Sequence, residues 1–199
     1  VLDALSTLSF EYPPRADFFR KQLIEYLQLT RKEGIDPLSL EGSYAGAIGI
    51  PQFIPSSYRV YAVDFNQDGV RDLLNSHEDA IGSVANYFKL HGWEPKQPVV
   101  VPTVLKSTLT QEQFDSQLKP TRTLHEIAEL GVWVPSDLTL NQMATLMKLD
   151  GKNGDEYWIG LQNYYVITRY NHSRLYALAV HILSERIRFE YQNSSQGNI

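Results

Sequence analysis

Cysteine is absent from the 199 residues. This excludes a disulfide framework, a thiolate zinc site and a cysteine nucleophile, and it suits cytosol and periplasm equally. Methionine occurs twice, too few for the Met-rich groove of a calcium sensor. No apolar run approaches the roughly 20 residues of a membrane-spanning helix, and no secretory signal pattern is visible. Positive charge is in deficit: 18 Lys and Arg stand against 23 Asp and Glu, a net −5, which makes nucleic acid a poor partner. P-loop, GxGxxG, GxSxG and HExxH motifs are all missing. The five histidines, His77, His91, His125, His172 and His181, show no metal-ligand spacing. With 43% hydrophobic and 21% charged residues the composition is that of a globular domain, not a disordered or fibrous chain. The chain opens at Val1 inside a helical pattern, Leu2, Leu5 and Leu8, with no capping residue before it. The expectation is a fragment or a processed product of a longer protein.

The first half reads as helical. Pro13-Pro14 breaks the opening helix; Phe19, Leu23, Tyr26, Leu27 and Thr30 share the face of a second, with Gly34 as its C-cap. Residues 41–59 are Gly-, Ser- and Pro-rich loops around a short helix. Ser76-His77-Glu78-Asp79 has capping-box form ahead of Ala80, Ile81, Val84, Tyr87, Phe88 and Leu90. The second half is mixed: Val99–Val101 and Val104 are β-like, Thr110/Gln113 and Thr123/Glu126 start capped helices, and residues 144–149 and 157–161 read as strands around the turn 150–154. A last helix is expected from about Asn171 to Phe189, with Tyr176, Ala179, Val180, Leu183 and Ile187 toward the core and a frayed polar tail at 192–199. The expected organisation is a helical core portion over 1–94, a small α+β subdomain over 95–165, and a C-terminal helix over 166–191 returning to the core.

Three constellations carry chemistry. In Asp64-Phe65-Asn66-Gln67-Asp68-Gly69-Val70-Arg71-Asp72, oxygen side chains fall at loop positions 1, 3, 5 and 9, with glycine at 6 and a carbonyl at 7. This is the EF-hand arrangement for a cation that takes six to eight oxygens. Position 12 is Asn75 rather than the bidentate Glu, so a longer loop closed by Asp79 is the alternative cage; a solvated Asx-rich turn, with Asp79 merely capping the helix that follows, is the plain reading. The run from Glu41 to Pro55 mixes small residues with the polar arms of Ser43 and Gln52; it reads equally as a binding loop or a tight turn. Tyr164 to Tyr176 groups tyrosines with Asn171 and His172. Aromatic faces stack on sugars while their hydroxyls hydrogen-bond; the plain reading leaves Asn171 as a helix N-cap.

These stretches resemble, in this order, the lytic murein transglycosylase B family of bacterial cell-wall enzymes: LDALSTLSFEYP at 2–13, GSYAGAIGIPQFIPSSY at 42–58, YAVDFNQDG at 61–69, DAIGSVANYFKLHGW at 79–93 and TRYNHS at 168–173. The resemblance spans nearly the whole chain and is weakest at 95–140. It implies a mainly α (α+β) fold: a lysozyme-like helical core with an EF-hand-like calcium loop and a small mixed insertion. It implies cleavage of the β-1,4 bond between N-acetylmuramic acid and N-acetylglucosamine in peptidoglycan, giving a 1,6-anhydro product. One Glu acts first as acid and then as base, unlike the usual two-carboxylate plan. The resemblance puts that Glu upstream of Val1, and neither Glu11 nor Glu41 matches it. It implies catalytic positions at Ser43, Gln52 and Asn171, substrate contacts at Phe53, Tyr87, Tyr170 and Tyr176, and calcium ligands at Asp64, Asn66, Asp68, the Val70 carbonyl and Asp79. Arg15 follows a proline where the family often has a second Arg. The implied partner is the peptidoglycan glycan strand and the implied place is the periplasm of a Gram-negative envelope, with any membrane anchor outside this sequence. The alternative is a non-catalytic peptidoglycan-binding module with a calcium site.

Overall fold

Residues 1–196 are described by the computed structural model. They form two units, Val1–Leu90 and a second that begins at His91. In the first unit, helix α1 (Leu2–Phe10) ends before the Pro13-Pro14 break and α2 runs over Ala16–Glu33. Gly34 closes α2 in the left-handed region at φ 67°, its N–H donating to the Thr30 carbonyl, the helix stop that glycine permits without a Cβ penalty. Phe19, Tyr26, Leu29 and Thr30 are buried on α2, and Leu27 is 46% exposed. The inward stripe takes Gln22 and Leu29 where the periodicity alone admitted Leu27. Buried Gln22 is satisfied because its Oε1 accepts the N–H of Ser56 (3.0 Å) at the start of the short helix α3 (Pro55–Tyr61).

Helix α4 (His77–Leu90) follows Ser76, whose Oγ accepts the Asp79 N–H (3.2 Å). The reciprocal arm of a capping box is missing, because the Asp79 carboxylate is turned into the preceding loop. Ile81 and Leu90, read with the apolar face, are 69% and 58% exposed.

The second unit is built on a four-stranded antiparallel sheet of order β1-β4-β3-β2, with β1 Val100–Thr103, β2 Arg122–Thr123, β3 Met143–Gly151 and β4 Gly154–Gly160. A two-residue turn joins β3 to β4, pairing Gly151 with Gly154, at the position of the expected turn. Helix α5 (Leu124–Glu129) starts on a full capping box between Thr123 and Glu126. Thr110 and Gln113 also form a capping box, but on a single 3-10 turn. Phe114, Leu124, Ile127, Val132, Ala144, Leu146, Ile159 and Leu161 form the core of this unit.

A helix not foreseen, α6 (Gln162–Tyr170), follows β4. Its β-branched run Val166-Ile167-Thr168, all buried, weakens the helical signature in the sequence. Helix α7 covers Arg174–Gln196, starting later and running farther than expected. No glycine or proline interrupts it before Gly197, and residues 192–196 of the expected tail continue it; the remainder of that tail lies outside the described residues. Among its described side chains the buried ones are Ala177 and Leu178. Leu183 and Ile187, assigned to the core face, are 59% and 60% exposed; the helix turns its Ala177–Leu178 side inward, a choice that apolar spacing does not decide.

Candidate functional site

Within the first unit, residues 42–53 fold into a tight double turn. Ser43 Oγ accepts the N–H groups of Ala45 (3.2 Å) and Ala47 (3.1 Å). That hydroxyl donates to none of the described residues, so its proton is available to a ligand. Ile48 and Phe53 exchange backbone hydrogen bonds (2.8 and 3.1 Å) around the turn 49–52. Gly49 holds φ 70°, and a Cβ there would run into the Leu73 carbonyl. Gln52 is held at φ 52°, a conformation costly for a residue with a Cβ. Its Nε2 donates to the Gly49 carbonyl (2.9 Å), and the side chain is exposed. Ser43, Gln52 and Phe53 are therefore brought onto one loop.

Phe53 and Tyr87 are also brought together, but as buried rings, 3% and 8% exposed. Their centroids are 6.0 Å apart. Tyr61 completes the cluster, 4.7 Å from Tyr87 and 6.2 Å from Phe53, both edge-on. Tyr61 is half-buried and is the most accessible ring of the three. The sequence reading passed it over, although it opens the stretch 61–69.

The 64–79 loop is organised by its own carboxylates. Asp64 accepts from the N–H of Asp68 (3.1 Å) and of Gly69 (2.8 Å). Asn66 Oδ1 accepts from Asp68 N–H (3.1 Å), and Asp68 Oδ1 accepts from Val70 N–H (2.9 Å). These side-chain oxygens curl toward one loop. Asp79, fully buried, closes it: Oδ1 accepts from the N–H of Phe65 (2.8 Å) and Asn66 (3.4 Å), and Oδ2 from Asp72 (2.9 Å). Burial pushes the Asp79 carboxyl up, but the backbone N–H groups outweigh it and hold it below its ordinary value. Asp72 behaves alike: burial raises it, and the N–H groups of Asn75 and Leu74 with the Asn75 amide bring it down. It serves here as a turn cap, accepting from Leu74 N–H (2.8 Å) and Asn75 N–H (2.9 Å). Among the described residues, no three His, Cys, Asp or Glu side chains are grouped to hold a metal ion. A cation in this loop therefore needs Asn66 and main-chain oxygens beside Asp64 and Asp68. Asp64, Asn66 and Asp68 retain oxygen lone pairs, and Asp79 Oδ2 accepts a single N–H. That all-oxygen donor set fits a hard cation.

In the second unit, Tyr170 ends α6, Asn171 follows it and Tyr176 stands on the first turn of α7. Asn171 ends α6 in an extended conformation. Its carbonyl accepts the N–H of Ser173 (2.7 Å), and it is Ser173 Oγ that accepts the Tyr176 N–H at the start of α7 (3.2 Å). Asn171 is thus not the N-cap. Its exposed side chain forms no hydrogen bond among the described residues. Tyr176 is 36% exposed. The junction is fixed from beneath by buried Tyr164, whose hydroxyl donates to the Arg174 carbonyl (2.9 Å); burial pushes that phenol up to about 12.

Comparison with known proteins gives these features a setting. Residues 1–185 match the family model described as Transglycosylase SLT domain. The chain is 46% identical over 187 residues to membrane-bound lytic murein transglycosylase B of Escherichia coli K12, covering 94% of this chain and 50% of that protein. Soluble lytic transglycosylase SltB1 of Pseudomonas aeruginosa superposes with a TM-score of 0.91 at 50% identity, over 96% of this chain and 63% of that one. Escherichia coli lytic transglycosylase Slt35 in complex with calcium gives 0.86 at 45% identity, over 94% and 59%. The chain thus spans about half the length of the curated relative and less than two thirds of these solved chains.

Proposed function

Because the chain belongs to the transglycosylase SLT domain family, we propose that it is the saccharide-holding portion of a lytic transglycosylase. The whole protein cleaves the β-1,4 bond between N-acetylmuramic acid and N-acetylglucosamine of peptidoglycan. The observation that carries this reading is Asn171. Its backbone ends α6, but its exposed side-chain amide, between Tyr170 and Tyr176 in the sequence, makes no hydrogen bond among the described residues; the fold does not use that amide and a sugar can.

In the proposed reaction one carboxylic acid protonates the leaving glycosidic oxygen. The carboxylate so formed then takes the proton of the muramic 6-hydroxyl as that oxygen attacks the anomeric carbon. The product is the 1,6-anhydro sugar and no water is added. The acid/base Glu is proposed to come from sequence outside residues 1–199. Ser43 offers a hydroxyl proton near the reacting sugar, Gln52 and Asn171 offer amides to acetamido or hydroxyl groups, and Tyr170 and Tyr176 offer ring faces. Phe53 and Tyr87 support the loop mainly by packing, with Tyr61 as the better-exposed ring beside them.

The 64–79 loop is proposed to bind calcium in an EF-hand-like manner through Asp64, Asn66, Asp68 and the Val70 carbonyl; Asp79, expected as a further ligand, does not form a three-carboxylate group with Asp64 and Asp68 and anchors the loop through the N–H groups of Phe65, Asn66 and Asp72. The donor chemistry and the calcium complex of Slt35 support it. The proposed setting is the periplasmic envelope. No helix among the described residues is long and apolar enough to cross a membrane.

The test is digestion of purified sacculi by the complete protein and its Asn171→Ala variant. A large loss of turnover at unchanged melting temperature supports the assignment. Unchanged turnover returns Asn171 to a surface residue.

A further inference from the structure

A groove of about 1060 Å³ lies in the second unit, and its lining includes none of the site residues assigned above. Its origin is a parting of strands. β1 pairs with β4 as far as Thr103 opposite Tyr157. Beyond it the chain leaves β4 and pairs elsewhere: Val104 accepts from Trp133 N–H (3.0 Å) and Lys106 donates to Gly131 (2.8 Å). The space opened between residues 104–109 and the outer end of β4 is the groove, at the upper end of the range for small-molecule sites.

Tyr157 and Trp158 of β4 are both on its lining; as strand neighbours their rings stand on opposite faces of the sheet, and both are held. Tyr157 stacks on Phe114, centroids 5.8 Å apart and planes within 15°. The Trp158 indole N–H donates to Glu156 Oε2 (3.2 Å). Opposite them, Ser107 and Thr108 bring exposed hydroxyls. The ionic groups balance: Lys148 pairs with Asp155 at 2.7 Å, and Lys106 stands with Glu156 on the lining. The Tyr157–Phe114 stack, hydroxyls and no net charge suit a neutral, amphipathic polyhydroxyl ligand. They suit a peptide stem with free carboxylates less well, since Lys148 and Asp155 already satisfy each other.

We propose that this groove is a second saccharide-binding surface, taking rings of an N-acetylated amino-sugar strand on residues other than those proposed to hold the bond being cleaved. The proposal rests on the peptidoglycan reading above. Its effect would be to hold the polymer between cleavage events.

The test is a titration of the complete protein with the tetrasaccharide of N-acetylglucosamine, following the Trp158 indole N–H resonance, assigned with Trp158→Phe. A saturable shift in the unmodified protein and in Asn171→Ala is expected. Thr108→Tyr, at an exposed position, should fill the groove and weaken that response about tenfold without altering the melting temperature. A Trp158 signal that does not move, in protein that still releases anhydro-muropeptides, overturns the second site and leaves the enzymatic reading intact. An equal shift with the sugar-free stem pentapeptide overturns the saccharide assignment. No shift and no anhydro product together overturn both.

Discussion

Asp79 and Phe65 hold the ends of the acidic loop together. The Asp79 carboxylate accepts the Phe65 N–H at 2.8 Å, while the Phe65 ring lies against Gly82, one helical turn further along α4. Ser83 adds a third tie by accepting the Val63 N–H (2.9 Å). Three positions of one helix thus fix where the oxygen donors of 64–70 stand.

Gly82→Ala should reverse the usual effect of such a change. Alanine in a helix interior normally gains about 1 kcal/mol over glycine. Here a Cβ would meet the Phe65 ring, so thermal melting should show a destabilised protein. Phe65→Ala combined with Gly82→Ala should recover part of the loss. A stabilising single change would show that the ring does not rest on this helix.

Asp79 should govern acid stability. Its folded carboxyl sits below the unfolded value, so its contribution is present above the unfolded pKa of about 3.9 and lost as pH falls through the folded one. Asp79→Asn should melt lower at neutral pH and lose less stability below about pH 4 than the unmodified protein. Parallel melting curves against pH would remove Asp79 from this role.

Calcium should raise the melting temperature, by mass action on the folded state, and Asp64→Ala with Asp68→Ala should abolish the rise. No calcium-dependent rise in the unmodified chain would contradict the proposed site.

Gln52→Gly separates strain from function. Removing a side chain held at φ 52° should leave stability unchanged or raise it by about 1 kcal/mol, while turnover on sacculi falls. Loss of both in proportion would make Gln52 a structural residue.

What could be read from the sequence was local chemistry. Gly34, the Thr123–Glu126 box and the 150–154 turn each encode their geometry within a few residues. Choices among equally apolar faces could not be read so: Leu27, Leu183 and Ile187 have the right spacing and point outward, because tertiary packing selects Leu29, Ala177 and Leu178. Helix α6 was hidden by its β-branched residues. At the candidate site, the residue types of Ser43, Gln52 and Asn171 were legible. That Asn171 leaves the cap to Ser173, and that Tyr61 rather than Phe53 shows its ring, depend on coordinates.

The most direct measurement is mass spectrometry of the soluble products of intact sacculi treated with the complete protein. The account predicts muropeptides ending in 1,6-anhydromuramic acid, one water lighter than hydrolysis products. Release of reducing-end muropeptides, or of nothing, would contradict it.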